Sequence, residues 1–131
     1  RAGWPVGWVM VSALSTQVTV WWLIPFTGAG LTGVVSLVVY GIGAGIVPAC
    51  LFALPAAILG PNRGVADAFG FIMTGRNLGV LIGPVLLAQT FKITGAWGVA
   101  APLFGTLTTV CLGIAITLGV VLHKRPKVRS D

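Results

Sequence analysis

Charge is what this chain has least of. Of its 131 residues only 8% are Asp, Glu, Lys or Arg, against about 25% in an ordinary soluble domain. From Ala2 to Asn62 there is no charged side chain, and a second uncharged run extends from Ile93 to the neutral His123. Cysteine is scarce too. Cys50 and Cys111 lie inside apolar stretches, where they read as small buried hydrophobes and not as a loop-borne disulfide framework. A water-soluble fold would have to expose parts of both uncharged runs, and apolar surface on that scale aggregates. These absences exclude a soluble enzyme, a disulfide scaffold and a disordered chain. What remains is an all-α integral membrane protein.

Further absences bear on chemistry. No Ser–His pair, paired aspartates or metal-ligand cluster lies in the apolar runs, so neither enzymatic activity nor a metal or cofactor is expected. Asp67 and Asp131 are the only acids, which leaves no mid-membrane carboxylate for a proton relay. The net charge of +6 does not point to nucleic acid, because the cations stand at the ends of apolar runs and form no soluble patch. No signal peptide is visible, and a start at Arg1 in place of Met is expected of a fragment whose upstream part is missing.

What is present is 56% hydrophobic residues in long runs. A helix needs roughly 20 apolar residues to cross a hydrocarbon core about 30 Å thick. Four segments meet that length, at about 4–24, 31–54, 65–91 and 97–122. The turn-forming Pro25-Phe26-Thr27-Gly28-Ala29-Gly30 is expected to end the first. Pro55 and the loop Gly60-Pro61-Asn62-Arg63-Gly64 end the second, and Lys92-Ile93-Thr94-Gly95-Ala96 joins the last two. Residues 123–131 form a basic tail outside the bilayer.

An even number of spans puts both ends of the segment on one side. Arg1, Arg63, Lys124, Arg125, Lys127 and Arg129 then share that side, and only Lys92 lies opposite. Lys and Arg are enriched in short cytoplasmic loops, so the expected location is the cell membrane, with both ends and the second loop cytoplasmic.

Hydroxyls recur at helical spacing. Ser12, Ser15, Thr16 and Thr19 form a stripe on the first span, and Thr32, Ser36, Tyr40 and Gly43 form one on the second. Such a stripe either lines a water-filled path or hydrogen-bonds a neighbouring helix. Tyr40, a polar-tipped ring well inside its span, inclines the second stripe toward a cavity. Glycine is abundant at 19 residues. Gly41, Gly43 and Gly45 thin the second span just before Pro48, which removes a backbone hydrogen bond. Gly75, Gly79 and Gly83, followed by Pro84, make a smooth strip on the third. These positions suit close packing, or a hinge between helices that rock.

Arg76 is the one charge inside a span. An Arg at mid-span costs about 2.5–3.5 kcal/mol on insertion scales, and such a cation usually faces a bundle interior or a wet cavity. Asp67 is no partner, because nine residues place it on the opposite helix face and about 13 Å away along the axis. Arg76, with Asn77 beside it, is therefore a candidate substrate-binding cation. The alternatives are snorkelling to the interface, or locking two helices through backbone carbonyls. Asp67, in the first turn of its span and four residues from Arg63, suits the helix dipole or a cytoplasmic gating contact.

The stretch Gly41 to Pro55, the loop Gly60-Pro-Asn-Arg-Gly-Val-Ala-Asp67, Asn77-Leu-Gly-Val-Leu-Ile-Gly83-Pro84 and Gly95-Ala-Trp97 together resemble the end of a major facilitator superfamily transporter. The resemblance covers nearly the whole chain. It implies the last four of twelve helices, part of the C-terminal six-helix bundle. It further implies alternating access by two rocking halves around a midplane site, with the missing N-terminal helices of the same chain as partners. Helices ten and eleven of that family face the cavity, and nine and twelve support them. The second and third spans, with Ser36, Tyr40, Arg76 and Asn77, match the former pair. The expected function is secondary transport of a small solute, anionic if Arg76 binds it, with a coupling ion where one is used. The alternative is a small four-helix membrane protein, acting as a dimeric transporter or as a non-transporting subunit.

Overall fold

The computed structural model describes residues 5–28, 30–59 and 64–124. Arg1, Arg63 and the tail cations Arg125, Lys127 and Arg129 lie outside the described residues. Four long helices account for nearly all of the rest: α1 (Val6–Thr27), α2 (Leu31–Leu59), α3 (Val65–Thr94) and α4 (Ala100–Lys124). A short 3-10 turn, Trp97–Val99, leads into α4. All four are long and apolar enough to cross a membrane, which is the architecture of a multi-pass membrane protein.

The helix ends differ from the sequence expectation in one consistent way: the helices run further. Pro25 does not end α1, which continues to Thr27 and stops only where Gly28 takes φ +58°. Likewise α2 passes through both Pro48 and Pro55 to Leu59. A proline removes one intrahelical bond, and its fixed φ is itself helical, so a long apolar helix can continue through it. α3 extends past Phe91 to Thr94, where Gly95 in the left-handed region closes the helix by donating its N–H to the Phe91 carbonyl at 2.8 Å. Phe91 then stacks on Trp97, with ring centroids 4.3 Å apart, which fixes the direction in which the chain re-enters.

α1 sits in the middle. It packs extensively along both α2 and α4, and α3 is joined more sparsely, to α2. Close approaches fix the register of the two main pairs. A Cβ on Gly7 would lie 3.7 Å from the Gly119 Cα, and at the other end the Trp22 indole N–H donates to the Thr109 hydroxyl across 3.5 Å. α1 and α4 are therefore antiparallel. Between α1 and α2, a Cβ on Gly43 would come within 3.3 Å of the Ala13 carbonyl oxygen and the Gln17 Cγ. Such contacts let backbones approach where lipid provides no hydrophobic drive between helices.

The buried core is a small cluster of Met10, Leu14, Cys50 and Ala115, one layer shared by α1, α2 and α4. α3 buries no residue at all. Phe71, Leu78, Val80, Leu81 and Val85 on α3, and Val34, Leu37, Val38 and Ile42 on α2, are more than half exposed. Lipid or further protein has to cover faces of this kind.

Candidate functional site

Local bonding uses the hydroxyls of both stripes first. On α1, Ser12 donates to the Val9 carbonyl at 2.8 Å, Ser15 to Val11 at 2.9 Å, Thr16 to Ser12 at 3.0 Å and Thr19 to Ser15 at 2.9 Å. On α2, Ser36 donates to the Thr32 carbonyl at 2.8 Å, and Thr32 reaches back across the turn to the Thr27 carbonyl at 2.8 Å. Each of these hydroxyls has its proton engaged and keeps an oxygen lone pair free. The stripes can therefore accept hydrogen bonds without leaving an unsatisfied donor in lipid. Among the described residues no buried side-chain nitrogen or oxygen lacks a partner.

Tyr40 stands at the junction of three helices. Its ring meets Trp21 of α1 edge-on, with centroids 5.4 Å apart and planes at 76°. Trp21 in turn stacks on Phe104 of α4 at 5.2 Å. Tyr40 is half-buried, and Gly43, one turn further on the same face, is buried. The α2 stripe thus turns toward α1. Between the two helices runs an open groove of about 170 Å³, lined among others by Ser12, Thr16, Val39, Ile42, Gly43 and Ile46. Its walls are mostly apolar, with two hydroxyl-bearing residues on the α1 side.

Arg76 and Asn77 lie elsewhere, exposed near the middle of α3. α2 and α3 are tied by Phe52 and Phe69, whose rings lie 5.0 Å apart. At 1.5 Å per residue, Tyr40 is about 18 Å and Arg76 about 10 Å along their helices from that contact. They therefore differ by about 8 Å in depth. These helices do not bring Arg76 into contact with the α2 stripe, and no charged residue is buried among the described residues. Asp67 is exposed in the first turn of α3.

The glycines divide sharply. Gly43 is in close contact, whereas a Cβ on Gly41, Gly45, Gly75, Gly79 or Gly83 would meet nothing within 4 Å. Pro48 is half-buried in α2, and Pro84 is exposed in α3. Sequence reasoning did not single out Gly105, Phe104 or Thr109, although the α1–α4 seam depends on them. A Cβ on Gly105 would sit 3.3 Å from the Trp22 ring and 3.6 Å from the Trp21 Cβ. The available signal was the Gly105–Thr109 pair at i, i+4 on one helix and the adjacent bulky Trp21–Trp22 on another.

Among the described residues no group of three His, Cys, Asp or Glu side chains is placed to hold a metal ion. Comparison of the chain with protein-family models, with curated proteins and with solved structures returns no match.

Proposed function

We propose that this chain forms part of a secondary transporter of the major facilitator type. In this reading α2 and α3 face the substrate path and α1 and α4 support them. The observation that carries the reading is α3: a 30-residue helix with Arg76 near its middle that buries nothing against the other three. An isolated helix of this kind would hold an uncompensated cation in hydrocarbon. A water-filled path beside α3, closed by further helices of the same protein, removes that penalty and gives the cation a task. The open faces of α2 and α3 agree with the division of roles that the resemblance implies. The strip Gly75, Gly79 and Gly83, vacant in this chain, is a surface on which another helix can seat closely. Repeat-built transporters hold substrate near the bilayer midplane, and a guanidinium there selects small anions by charge and by its forked donors.

The test is uptake by cells producing the whole protein, assayed with a panel of radiolabelled small organic anions. Arg76→Ala is expected to abolish uptake of the transported anion, and Arg76→Lys to retain part of it. Unchanged uptake in both variants removes Arg76 from the site. The proposed orientation, with both ends of the segment cytoplasmic, is tested by a membrane-impermeant maleimide on Arg125→Cys in a chain whose Cys50 and Cys111 are replaced by alanine. Labelling from outside intact cells would reverse it.

A further inference from the structure

We propose that Gln17 is a solute-binding residue, and that the angle between α2 and α4 in which it stands takes small uncharged solutes bearing a carboxamide-like group. Gln17 lies eleven residues after Val6 and ten before Thr27. It is thus about 15 Å from either end of α1, near the middle of a hydrocarbon core about 30 Å thick. Gln17 is half-buried and takes no part in the side-chain hydrogen bonds of α1. No buried side-chain nitrogen or oxygen among the described residues lacks a partner, so this unbonded amide opens to the surface. Hydrocarbon there would leave its two N–H donors and its carbonyl unsatisfied. The backbone of a further helix would not help, because its groups are bonded within the helix.

Packing fixes where the amide opens. A Cβ on Gly43 would lie 3.3 Å from the Gln17 Cγ and 3.9 Å from its Nε2, so Gln17 stands beside α2. Trp21, one turn further along α1, meets Tyr40 of α2 edge-on and stacks on Phe104 of α4. Gln17 therefore lies between α2 and α4, which both pack along α1 but scarcely touch each other. Met10, Leu14, Cys50 and Ala115 close that angle toward the start of α1, and the three aromatic rings bound it on the other side. The Tyr40 hydroxyl takes no part in the side-chain hydrogen bonds of α2. Tyr40 lies only about 4.5 Å along α2 from the level of Gly43, and so adds a second donor.

Charge is missing from this angle. α1 and α2 carry no charged side chain, and α4 carries one only in its last turn, at Lys124. Arg76 is elsewhere. α3 meets α2 through Phe52, nine residues and so half a rotation around α2 from Gly43. An ion entering beside Gln17 would lose its hydration and find no opposite charge. A neutral group that donates and accepts side by side satisfies the whole amide, and a carboxamide does so with two paired N–H···O=C bonds. The site is therefore distinct from the Arg76 path and does not rest on it.

The test places the whole protein, freed of its native cysteines, in lipid nanodiscs. It follows labelling of Thr108→Cys, one turn from Phe104, by a charged water-soluble thiosulfonate. Thr108→Cys should react much faster than Val110→Cys, which lies on the outer face of α4. Acetamide should slow the reaction at position 108, and acetate, of the same shape but charged, should not. Gln17→Leu should weaken the acetamide effect about tenfold, as expected when a neutral hydrogen-bond partner is removed, with the helical circular dichroism unchanged. Arg76→Ala should leave the effect intact. If Thr108→Cys reacts no faster than Val110→Cys, lipid or a further helix covers Gln17 and the proposal fails. It fails equally if acetamide gives no protection, if acetate protects as well, if protection survives in Gln17→Leu, or if it is lost in Arg76→Ala.

Discussion

The three glycines near the middle of α2 provide a sharp test, because they are chemically identical and only one is in contact. A Cβ on Gly43 would stand 3.3 Å from both the Ala13 carbonyl oxygen and the Gln17 Cγ, while Cβ atoms on Gly41 and Gly45 would meet nothing within 4 Å. Gly43→Ala sets two tight contacts against a helix-propensity gain of about 1 kcal/mol, so its net effect should be small. Gly43→Val adds two methyl groups, which must push against a backbone oxygen and a half-buried side chain. Overpacking of that kind costs about 1–3 kcal/mol. The same change at Gly41 or Gly45 should stay within about 0.5 kcal/mol, as at an uncrowded surface site. The expected gap of about 2 kcal/mol is a factor of about 30 in the folded-to-unfolded ratio. The assay is SDS titration of the chain in mixed micelles, followed by circular dichroism and by Trp21 fluorescence as the α1–α2 contact opens. If Gly43→Val unfolds at the same SDS fraction as Gly41→Val, the α1–α2 register described above is wrong.

Other perturbations act at separate places. A Cβ on Gly33 would lie 2.5 Å from the Gly28 carbonyl oxygen, so Gly33→Ala should destabilise the α1–α2 hairpin by about 2 kcal/mol or more, reversing the usual helix preference for alanine; an unchanged SDS midpoint would contradict this. Gly105→Leu should displace the Trp22 ring and shift its emission, and a spectrum identical to wild type would mean that α4 does not seat there. For Tyr40, the contact with Trp21 is through the ring. Tyr40→Phe should therefore keep stability within about 0.5 kcal/mol, while Tyr40→Ala loses the edge-to-face pair, worth about 0.5–1.5 kcal/mol, and some buried area as well. Equal losses in the two variants would assign the hydroxyl a structural bond.

The four helices were legible because an uninterrupted apolar run has few fates other than crossing lipid, and the chain has four of them. Their ends were less so. Pro25 and Pro55 carry strong turn preferences in water-soluble chains, yet both sit inside helices here. Gly28 and Gly95, with φ +58° and +69°, end helices where the prolines do not, because a left-handed residue reverses the chain and a proline only omits one bond. Among the candidate site residues, the sequence exposed the unusual ones, Arg76 and Tyr40, because a charge or a lone tyrosine in an apolar span stands out without any structure. It could not say which face of α2 meets α1. Gly41, Gly43 and Gly45 are 200° apart in turn, so no more than one rotation of the helix brings Gly43 against α1, and nothing local selects it. That choice comes from the shape of Ala13 and Gln17 on another helix. Tyr40 follows from the same rotation: once Gly43 faces α1, the residue one turn earlier faces Trp21.

The division between α1, α2 and α4 on one hand and α3 on the other has a physical origin. α1 carries small or slender residues at each seam, Gly7 toward α4 and Ala13 toward α2, and each helix it meets answers with a glycine, Gly119 and Gly43. Paired small residues allow dispersion contacts to accumulate along two backbones, which is the main attraction left once lipid has removed the hydrophobic drive. α3 has small residues too, but its strip Gly75, Gly79 and Gly83 meets no matching strip in α1, α2 or α4. Its ties are at its two ends, the Phe52–Phe69 pair near the end of α2 and the Phe91–Trp97 stack where the chain turns toward α4. Between those ends α3 buries no residue against the other helices, and Arg76 lies on that uncovered stretch. The residues least explained by packing within these four helices are thus the ones gathered on α3. Under the proposed reading, a further helix seated on the glycine strip and a solute path at Arg76 would occupy surface that α1, α2 and α4 leave open.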